Sequence, residues 1–548
     1  MADGHHPHLP GPPSARAPGR CPVSGRGGAR RPGRDRRARL LPPRPGRERI
    51  TGGPPSVAVV GGGIAGLAAA TVLAERGVRV VLHEREPRLG GRVSGRPVTL
   101  ADGTRATMSR GFHAFFRQYY NLRSLLRRAD PALETLTALP DYPLRHSSGL
   151  CDGFRRVPRT PPWNALGFVA LSPAFRPRDL LTLRPSAALP LLDVRTGRVH
   201  DRLDHVSAHD FLEALRFPAA ARHLAFEVFS RSFFADPREL SAAEMALMFH
   251  IYFLGSSEGL LFDVPREPYP QALWDPLARH LAGLGVTVRT AAPVEAVRPR
   301  RDGGHDVVDA CGARRYDAVV LALDVDGLRT LVGRSPELGD AEWRARVARL
   351  RTAPPFLVSR LWLDKPVAPG RPGFLGTSGY GPLDNVSVVS HWEGEAARWA
   401  ARSGGSVVEL HGYALPPATA PDTAARELAE QLHRVYPETR EARVVDARHE
   451  YRADCPLFPV GGYRDRPTVR TPDPAVVVAG DLVRTGLPVA LMERAATSGF
   501  LAANTLLERW DVRGEVLWTV PDRGRSALLR ALARQGPPKT GARRRGRS

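Results

Sequence analysis

Apolar positions along this chain fall into three kinds of run. Short unbroken ones, Ser56–Val60, Val78–His83, Ala318–Leu323 and Val476–Ala479, have the length and β-branched content of strands covered on both faces. Others repeat at helical spacing. Ile64–Arg76 places Leu67, Ala70, Thr71 and Ala74 on one side and stops at Gly77, while Gln271–Leu284 and Asp422–Val435 are amphipathic. A third set, Phe356–Leu363, Asn385–Trp392 and Ser406–Tyr413, reads as strands of an antiparallel sheet. Val286–Thr290 and Pro293–Val297 are shorter strands between the two regions. Residues 130–270 read as mainly helical, with loops at Pro161-Pro162 and Arg176-Pro177 and helices opened by Ser207 and Ser241. Glu244 stands at capping-box spacing from Ser241. Phe226, Phe229, Phe233, Phe234, Phe249, Tyr252 and Phe253 make these helices aromatic, a pattern that serves core packing more often than ligand binding.

The first strand, helix and second strand form a βαβ unit whose turn fills G-x-G-x-x-G with Gly61, Gly63 and Gly66. Gly61 permits the tight turn, Gly63 lets the backbone approach a pyrophosphate, and Gly66 lets the helix lie against the sheet. The helix N-terminus offers unpaired N–H groups to phosphates. Glu84, 21 positions after Gly63, ends the second strand where ribose hydroxyls are accepted, and its charge disfavours a 2′-phosphate. The pattern predicts an α/β chain with a Rossmann-like dinucleotide-binding domain in three pieces, 54–135, 271–345 and 456–515. An α+β substrate domain is inserted as 136–270 and 346–455, and basic tails cover 1–53, expected to be disordered, and 516–548.

Leu89-Gly90-Gly91-Arg92 follows the acidic strand, and there two glycines and a guanidinium can reach back to the phosphates. With Glu84 this resembles the flavin amine oxidase and phytoene desaturase superfamily, so the resemblance implies FAD and the amine oxidase/GDI-like version of the fold. A late segment, Ala475–Asn504, resembles the other end of the same cofactor site. There Gly480-Asp481 matches the pair that holds ribityl chain and phosphate, and the amides at Met492 and Glu493 match those facing the flavin ring, backed by a helix dipole. The resemblance also places Ile64, Ala65, Arg85 and Gly111 in the cofactor set and sets the backbone of Val294 against adenine.

Between 109 and 123 the chain reads SRGFHAFFRQYYNLR, five rings in nine positions of a sequence only 7 % aromatic. This is either a packed helix start or a ring-stacking wall beside an apolar pocket. The string resembles the isorenieratene synthase family, carotenoid β-ring desaturases with a methyl shift, and so does 203–270. The resemblance implies conversion of a β-ionone ring, as in β-carotene, to an aromatic φ-ring. A ring hydrogen leaves as hydride to oxidised flavin, a methyl group moves to the neighbouring carbon, a proton is lost, and a second oxidation follows in a water-free pocket. Arg110 and His113 are candidates for facing the reacting ring. No base stands out, and the electron acceptor is left open. The rivals are a linear carotene desaturase or another flavin amine oxidase, a prenyl-binding protein like the GDP-dissociation inhibitors, and an NAD-only Rossmann protein. The last two leave Gly480-Asp481 without a task.

Composition adjusts this picture at the margins. Of the net charge of +23, residues 1–53 supply +9 and 522–548 supply +8, so the body is only mildly basic. Lys365 and Lys539 are the only lysines. Arginine excess of this kind follows first from genomic base composition and second from contact with anionic lipid, and no motif accompanies it that would suit nucleic acid. Cys21, Cys151, Cys311 and Cys455 form no C-x-x-C pair, which argues against metal, Rieske-type clusters and a disulfide framework. No run reaches membrane-spanning length, and no apolar core follows the basic N-terminus as in a signal peptide. A cytoplasmic protein is expected, with peripheral contact at the inner face of the membrane and a short basic helix at Ser526–Ala533 as one means of contact.

Overall fold

Five of the short apolar runs come together in a single parallel sheet. In a computed structural model, which describes residues 35–139, 141, 143–175, 190–216, 234–527 and 531, the strand order is Thr287–Arg289, Arg79–His83, Ser56–Val60, Ala318–Leu321 and Val476–Val478. Val60 is in register with both His83 and Leu321, and Leu321 with Val478, so the carboxyl ends of four strands open on one edge. Ligands of open α/β sheets bind at that edge. Helix Ile64–Glu75 is buried from Ile64 to Ala74, because the sheet covers one side and helix Leu491–Arg509 another. The two helices approach closely at Gly499, where a Cβ would stand 2.3 Å from the Ala65 carbonyl oxygen.

The antiparallel strands expected from 353–455 form and are extended into a mixed sheet of seven, in the order Val444–Arg452, Phe356–Leu363, Ser406–Gly412, Asn385–Val388, Phe374–Ser378, Leu144–His146 and Cys151–Asp152, where only Phe374–Ser378 and Leu144–His146 pair in parallel. Its last two strands, and Leu136–Ala138 and Phe262–Pro265 of a three-stranded sheet with Phe115–Phe116, lie in the stretch read from sequence as mainly helical. They are two to four residues long, too short for a period of two to emerge from sequence. The helices that do form there include Arg198–Leu203, Ala208–Leu215 and Ala242–Phe249. Ser207 caps the second, accepting from Asp210 N at 3.0 Å. Ser241 caps the third, accepting from Ala243 N at 3.2 Å and donating to Asp204 Oδ1 at 2.7 Å. Phe226, Phe229 and Phe233 lie outside the described residues.

Two expectations are corrected here. Glu244 does not close a capping box. Its carboxylate is buried between Arg466 and Arg494, the latter at 2.7 Å, and the two cations hold it well below the usual range although burial alone would raise it. Nor do 35–53 and 516–527 behave as solvated tails. Arg39–Leu41 pairs antiparallel with Leu517–Thr519, and Asp35, 2 % exposed, accepts from Ser257 N at 2.7 Å and pairs with Arg525. Each terminal segment supplies the edge and the counter-charge that the other lacks, a relation that composition does not show. The helix expected at Ser526–Ala533 lies almost wholly outside the described residues.

Removing one partner from a buried ion cluster leaves charge unpaired, so Glu244→Gln is expected to lower stability by about 3–5 kcal/mol. Chemical unfolding of the purified holoprotein measures it; a loss within about 0.5 kcal/mol would show that the Glu244 carboxylate compensates nothing.

Candidate active site

The first wall of the site is made of backbone. Gly61 turns out of its strand at φ +107°, and a Cβ there would stand 2.2 Å from the Ala322 carbonyl oxygen, so the close approach of the two strand ends admits only glycine. The second glycine loop is clamped onto this turn by Gly90 N, which donates to Gly62 O at 2.9 Å. Gly91 faces Gly63 so closely that a Cβ on Gly91 would lie 3.2 Å from the Gly63 Cα. The result is a cradle free of side chains at the start of helix Ile64–Glu75, with Ile64 and Ala65 on its wall. Glu84 stands beside it. Its Oε2 accepts from Gly62 N at 2.6 Å and its Oε1 from Glu86 N at 2.8 Å, while burial raises its pKa. The carboxylate therefore ties down the glycine turn, and each oxygen keeps a further lone pair for a ribose hydroxyl. Ala292 N donates to Glu84 O at 2.9 Å and delivers Val294 to the same wall. Arg85 lies at the margin, 3.0 Å from Asp324.

The late segment closes the cradle. Arg92 Nη2 and Asp481 Oδ1, 389 positions apart, meet at 2.5 Å, and both line the cavity. Sequence spacing had assigned the Arg92 guanidinium to phosphate; in the structure it is bound to Asp481. Gly480 N donates to Ser498 Oγ at 2.8 Å, which ties the Gly-Asp pair to helix Leu491–Arg509. Leu491 and Met492 at the start of that helix line the cavity, Leu491 in a left-handed conformation (φ +52°) that is costly for a branched side chain.

Three residues of the expected cofactor set do not line the cavity. Gly66 packs helix on turn, the role its place in the glycine pattern predicts, since a Cβ would lie 1.9 Å from the Gly61 carbonyl oxygen. Gly111 sits behind it at φ +100°, with room only for the ring edge of His411. Glu493, whose amide rather than side chain is the group expected at the flavin ring, keeps its carboxylate in the interior, where it accepts from Asn121 N and Leu122 N, both at 2.9 Å, and burial pushes it up to about 8. All the other candidates, from Gly61 to Met492 and including Arg110 and His113, are on the wall of one cavity of about 710 Å³.

Beyond the cradle that cavity becomes an aromatic chamber. Phe112, Phe116 and Tyr119 of the ring-rich string face it, joined by Phe154, Phe234, Tyr252, Phe262, Phe356 and Phe374. Phe115 and Tyr120 of the same string are buried in the cores instead, so both readings of that string hold for part of it. Arg110 is paired with Asp454 and lies 6.0 Å from the centre of the Phe356 ring. His113 Nδ1 is 2.9 Å from Gly111 O, and burial lowers its pKa to about 4, helped by His411, Arg110 and Arg92, so it is neutral at pH 7. Sequence reading missed His411, Tyr413, Asn385 and Asp384, which also line the chamber. The signal for His411 and Tyr413 was that, with Glu409, they put three polar residues on one face of an apolar strand; Asp384 and Asn385, at the start of another strand, carried none.

A parallel sheet with a glycine cradle at its carboxyl edge, closed by a late Gly-Asp pair, is the site of a dinucleotide flavoprotein. The model for flavin-containing amine oxidoreductases matches residues 64–507, and the chain belongs to that family. It is 71 % identical over 510 residues, 93 % of this chain and 98 % of the relative, to the carotenoid phi-ring synthase of Streptomyces griseus. It is 28 % identical to the carotenoid phi-ring synthase of Chlorobaculum tepidum, over 86 % of this chain and 91 % of that one. Among solved structures, cyclohexylamine oxidase from Brevibacterium oxydans superposes with a TM-score of 0.60 at 15 % identity, over 84 % of this chain and all of its own (100 %), which speaks for the fold alone. This chain is thus an FAD-dependent oxidoreductase. The bare cradle, the Glu84 lone pairs and the Arg92–Asp481 pair fit that cofactor.

Asp481→Ala leaves the Arg92 cation uncompensated in a half-buried site. It is expected to weaken FAD binding by roughly ten- to a hundredfold, about 1.4–2.7 kcal/mol. Titration of the apoprotein, followed by flavin fluorescence, gives the constant; an unchanged one would mean that the pair does not shape the cradle.

Proposed function

We propose that this chain converts β-ionone end rings of a carotenoid such as β-carotene into aromatic φ-rings, by desaturation coupled to migration of a methyl group. One observation carries the reading: the glycine cradle and the aromatic chamber are parts of one cavity, so an apolar ring can lie against a cofactor held in the cradle. The relative of 71 % identity named for φ-ring synthesis supports the choice of substrate. Bound FAD supplies a two-electron acceptor for hydride.

The protein supplies placement and dryness. Phe112 packs at 4.3 Å against Phe374, and Phe116 at 4.6 Å against Tyr252, centre to centre, giving flat apolar surfaces for a hydrocarbon ring. Loss of hydride leaves the ring electron-deficient, and it is then that the methyl group moves from the geminal carbon to its neighbour. Water would capture such a ring, so its exclusion by the chamber protects the product. Positive charge next to the ring would oppose the step. Arg110 is neutralised by Asp454 and His113 is uncharged, so the two residues assigned to the ring-facing wall present little net field.

We also propose peripheral contact with the inner face of the membrane, where such a substrate dissolves. Helix Trp163–Leu171 has no charged residue, yet Trp163 is 63 % exposed and Leu166 and Leu171 each 56 %. Arg155, Arg156 and Arg159 precede it and are exposed. An apolar face beside exposed arginines suits an anionic bilayer surface. The inner side of the helix covers the chamber, because Phe168 stacks at 5.3 Å on Phe154, a chamber residue.

Expression in a β-carotene-producing host is expected to replace β-carotene with pigments bearing aromatic end groups, identified by chromatography and mass spectrometry. Persistence of β-carotene beside flavin-loaded protein would sink the reading, and desaturation of phytoene instead would favour a linear desaturase. For the membrane contact, the holoprotein should float with vesicles containing anionic lipid, and Trp163→Asp combined with Leu166→Asp should reduce the bound fraction about tenfold without loss of flavin. Failure of the unaltered protein to float would remove the proposal.

A further inference from the structure

We propose that Tyr413 removes the ring proton that follows hydride loss, with His411 and Glu409 forming the relay behind it; the inference rests on the ring-aromatisation reading above. The three residues alternate along strand Ser406–Gly412 and its continuation, so they share one face. His411 Nδ1 lies 2.7 Å from Tyr413 Oη, and His411 Nε2 lies 2.9 Å from Glu409 Oε1. Asn385 Nδ2 donates to the same Tyr413 oxygen at 3.1 Å. His411, Tyr413 and Asn385 line the chamber, whereas Glu409 is buried behind them. The polar group is set among rings, with Phe234 4.6 Å from Tyr413 between ring centres.

The proton positions follow from which atoms can donate. Arg360 lies 2.8 Å from the Glu409 carboxylate and, with His411, holds its pKa at about 2 although burial alone would raise it. An ionised carboxylate only accepts, so His411 Nε2 carries the hydrogen. The Phe112 amide, 3.3 Å from the same nitrogen, is the longer contact. Nδ1 is then a bare acceptor, and the Tyr413 hydroxyl donates to it. In the transfer, a C–H bond of the electron-deficient ring breaks and its electron pair becomes the new ring double bond. The proton passes to Tyr413 Oη as the hydroxyl proton passes to His411 Nδ1, and the imidazolium is balanced by Glu409. No electrons are exchanged in this step. A phenol oxygen is a weak base, but a C–H next to a cationic carbon is a very strong acid, so orientation rather than basicity limits the rate.

Electrostatics distinguish His411 from His113, the other histidine on the chamber wall. Protonating His113 is opposed by Arg110 and Arg92, whereas an imidazolium at His411 lies against an anion. Asp454 is held by Arg110, and Asp384 accepts from Tyr413 N at 2.6 Å, a bond that fixes the strand end rather than the hydroxyl. Tyr413 is thus the catalytic residue, and His411, Glu409 and Asn385 are positioning residues.

The test uses flavin-loaded enzyme with β-carotene in detergent or vesicles, always beside the unaltered protein. Tyr413→Phe keeps the ring and removes only the hydroxyl. It is expected to slow aromatic-ring formation by roughly a hundredfold or more while FAD affinity and carotenoid binding stay within about twofold. A variant that turns over within about threefold of the unaltered enzyme would overturn the relay. If Tyr413→Phe does not fold, Glu409→Gln decides. The groups facing His411 are Glu409 and Tyr413 on its own strand, Arg360 with Glu393 from the neighbouring strand and turn, Asp384 before the next strand, and Arg110 and His113 from the segment packed over it. Loss of the Glu409 charge takes away the counter-ion of the imidazolium, so ring formation should slow at least about tenfold and its solvent deuterium isotope effect should grow. A rate and an isotope effect like those of the unaltered enzyme would also overturn the relay. Absence of aromatic product from the unaltered enzyme is a separate outcome: it removes the ring-aromatisation reading itself.

Discussion

Parallel pairing along both edges of the buried strand Ala318–Leu321 is what brings the two ends of the site together. One edge aligns Leu321 with Val60, so the chain leaves the sheet at Gly61 directly beside Ala322; the other aligns Leu321 with Val478, so Gly480 emerges next to Leu323. A slip of one residue on either edge would separate the glycine turn from the Gly-Asp pair and would reverse the faces of strands covered on both sides. Arg92 and Asp481 then meet because the sheet has already placed their loops within reach, and their ion pair fastens a geometry that the register sets.

The same low-polarity interior imposes a rule on charge. Arg92 is matched by Asp481, Arg110 by Asp454, Arg360 by Glu409 and Glu393, and Glu244 by Arg466 and Arg494. A buried charge left alone costs several kcal/mol, roughly 3–5 when one partner of a pair is removed, so this matching is a condition of folding. It also suits the chemistry. The proposed reaction passes through a positively charged hydrocarbon ring and calls for walls whose fields cancel at short range, which paired charges give without exposing an anion that could trap the ring covalently.

What could be read from the sequence divides along the same line. The cradle was legible because its glycines and Glu84 sit at fixed offsets within one βαβ unit, where spacing alone determines geometry. The chamber was not, because Phe234, Phe356, Phe374 and Tyr413 each come from a different strand or loop and have no spacing in common. Resemblance supplied what spacing could not at Gly480 and Asp481, yet it gave no hint that Asp481 binds Arg92 or that the Glu493 carboxylate faces Asn121. Glu244 shows the limit of local rules: its position three residues after Ser241 fits a capping box, but two buried guanidinium groups compete for the same carboxylate and win, since a charge pair in the interior outweighs a bond to one backbone amide. Asp35 shows the limit of composition, because a single buried acid anchors a segment whose average charge reads as disorder.

The two halves of the cavity are therefore built from different materials. The cofactor wall is largely backbone, shaped by strand ends and glycines, so changes in side chains elsewhere leave it intact. The chamber wall is side chain, one or two from each of several elements of a sheet whose strands are fixed by their own hydrogen bonds. Substituting such a residue alters shape and polarity at the reacting ring without disturbing the cradle. The polar face of His411 and Tyr413, with Glu409 behind it, thus lies in the part whose shape and polarity are decided by side chains alone.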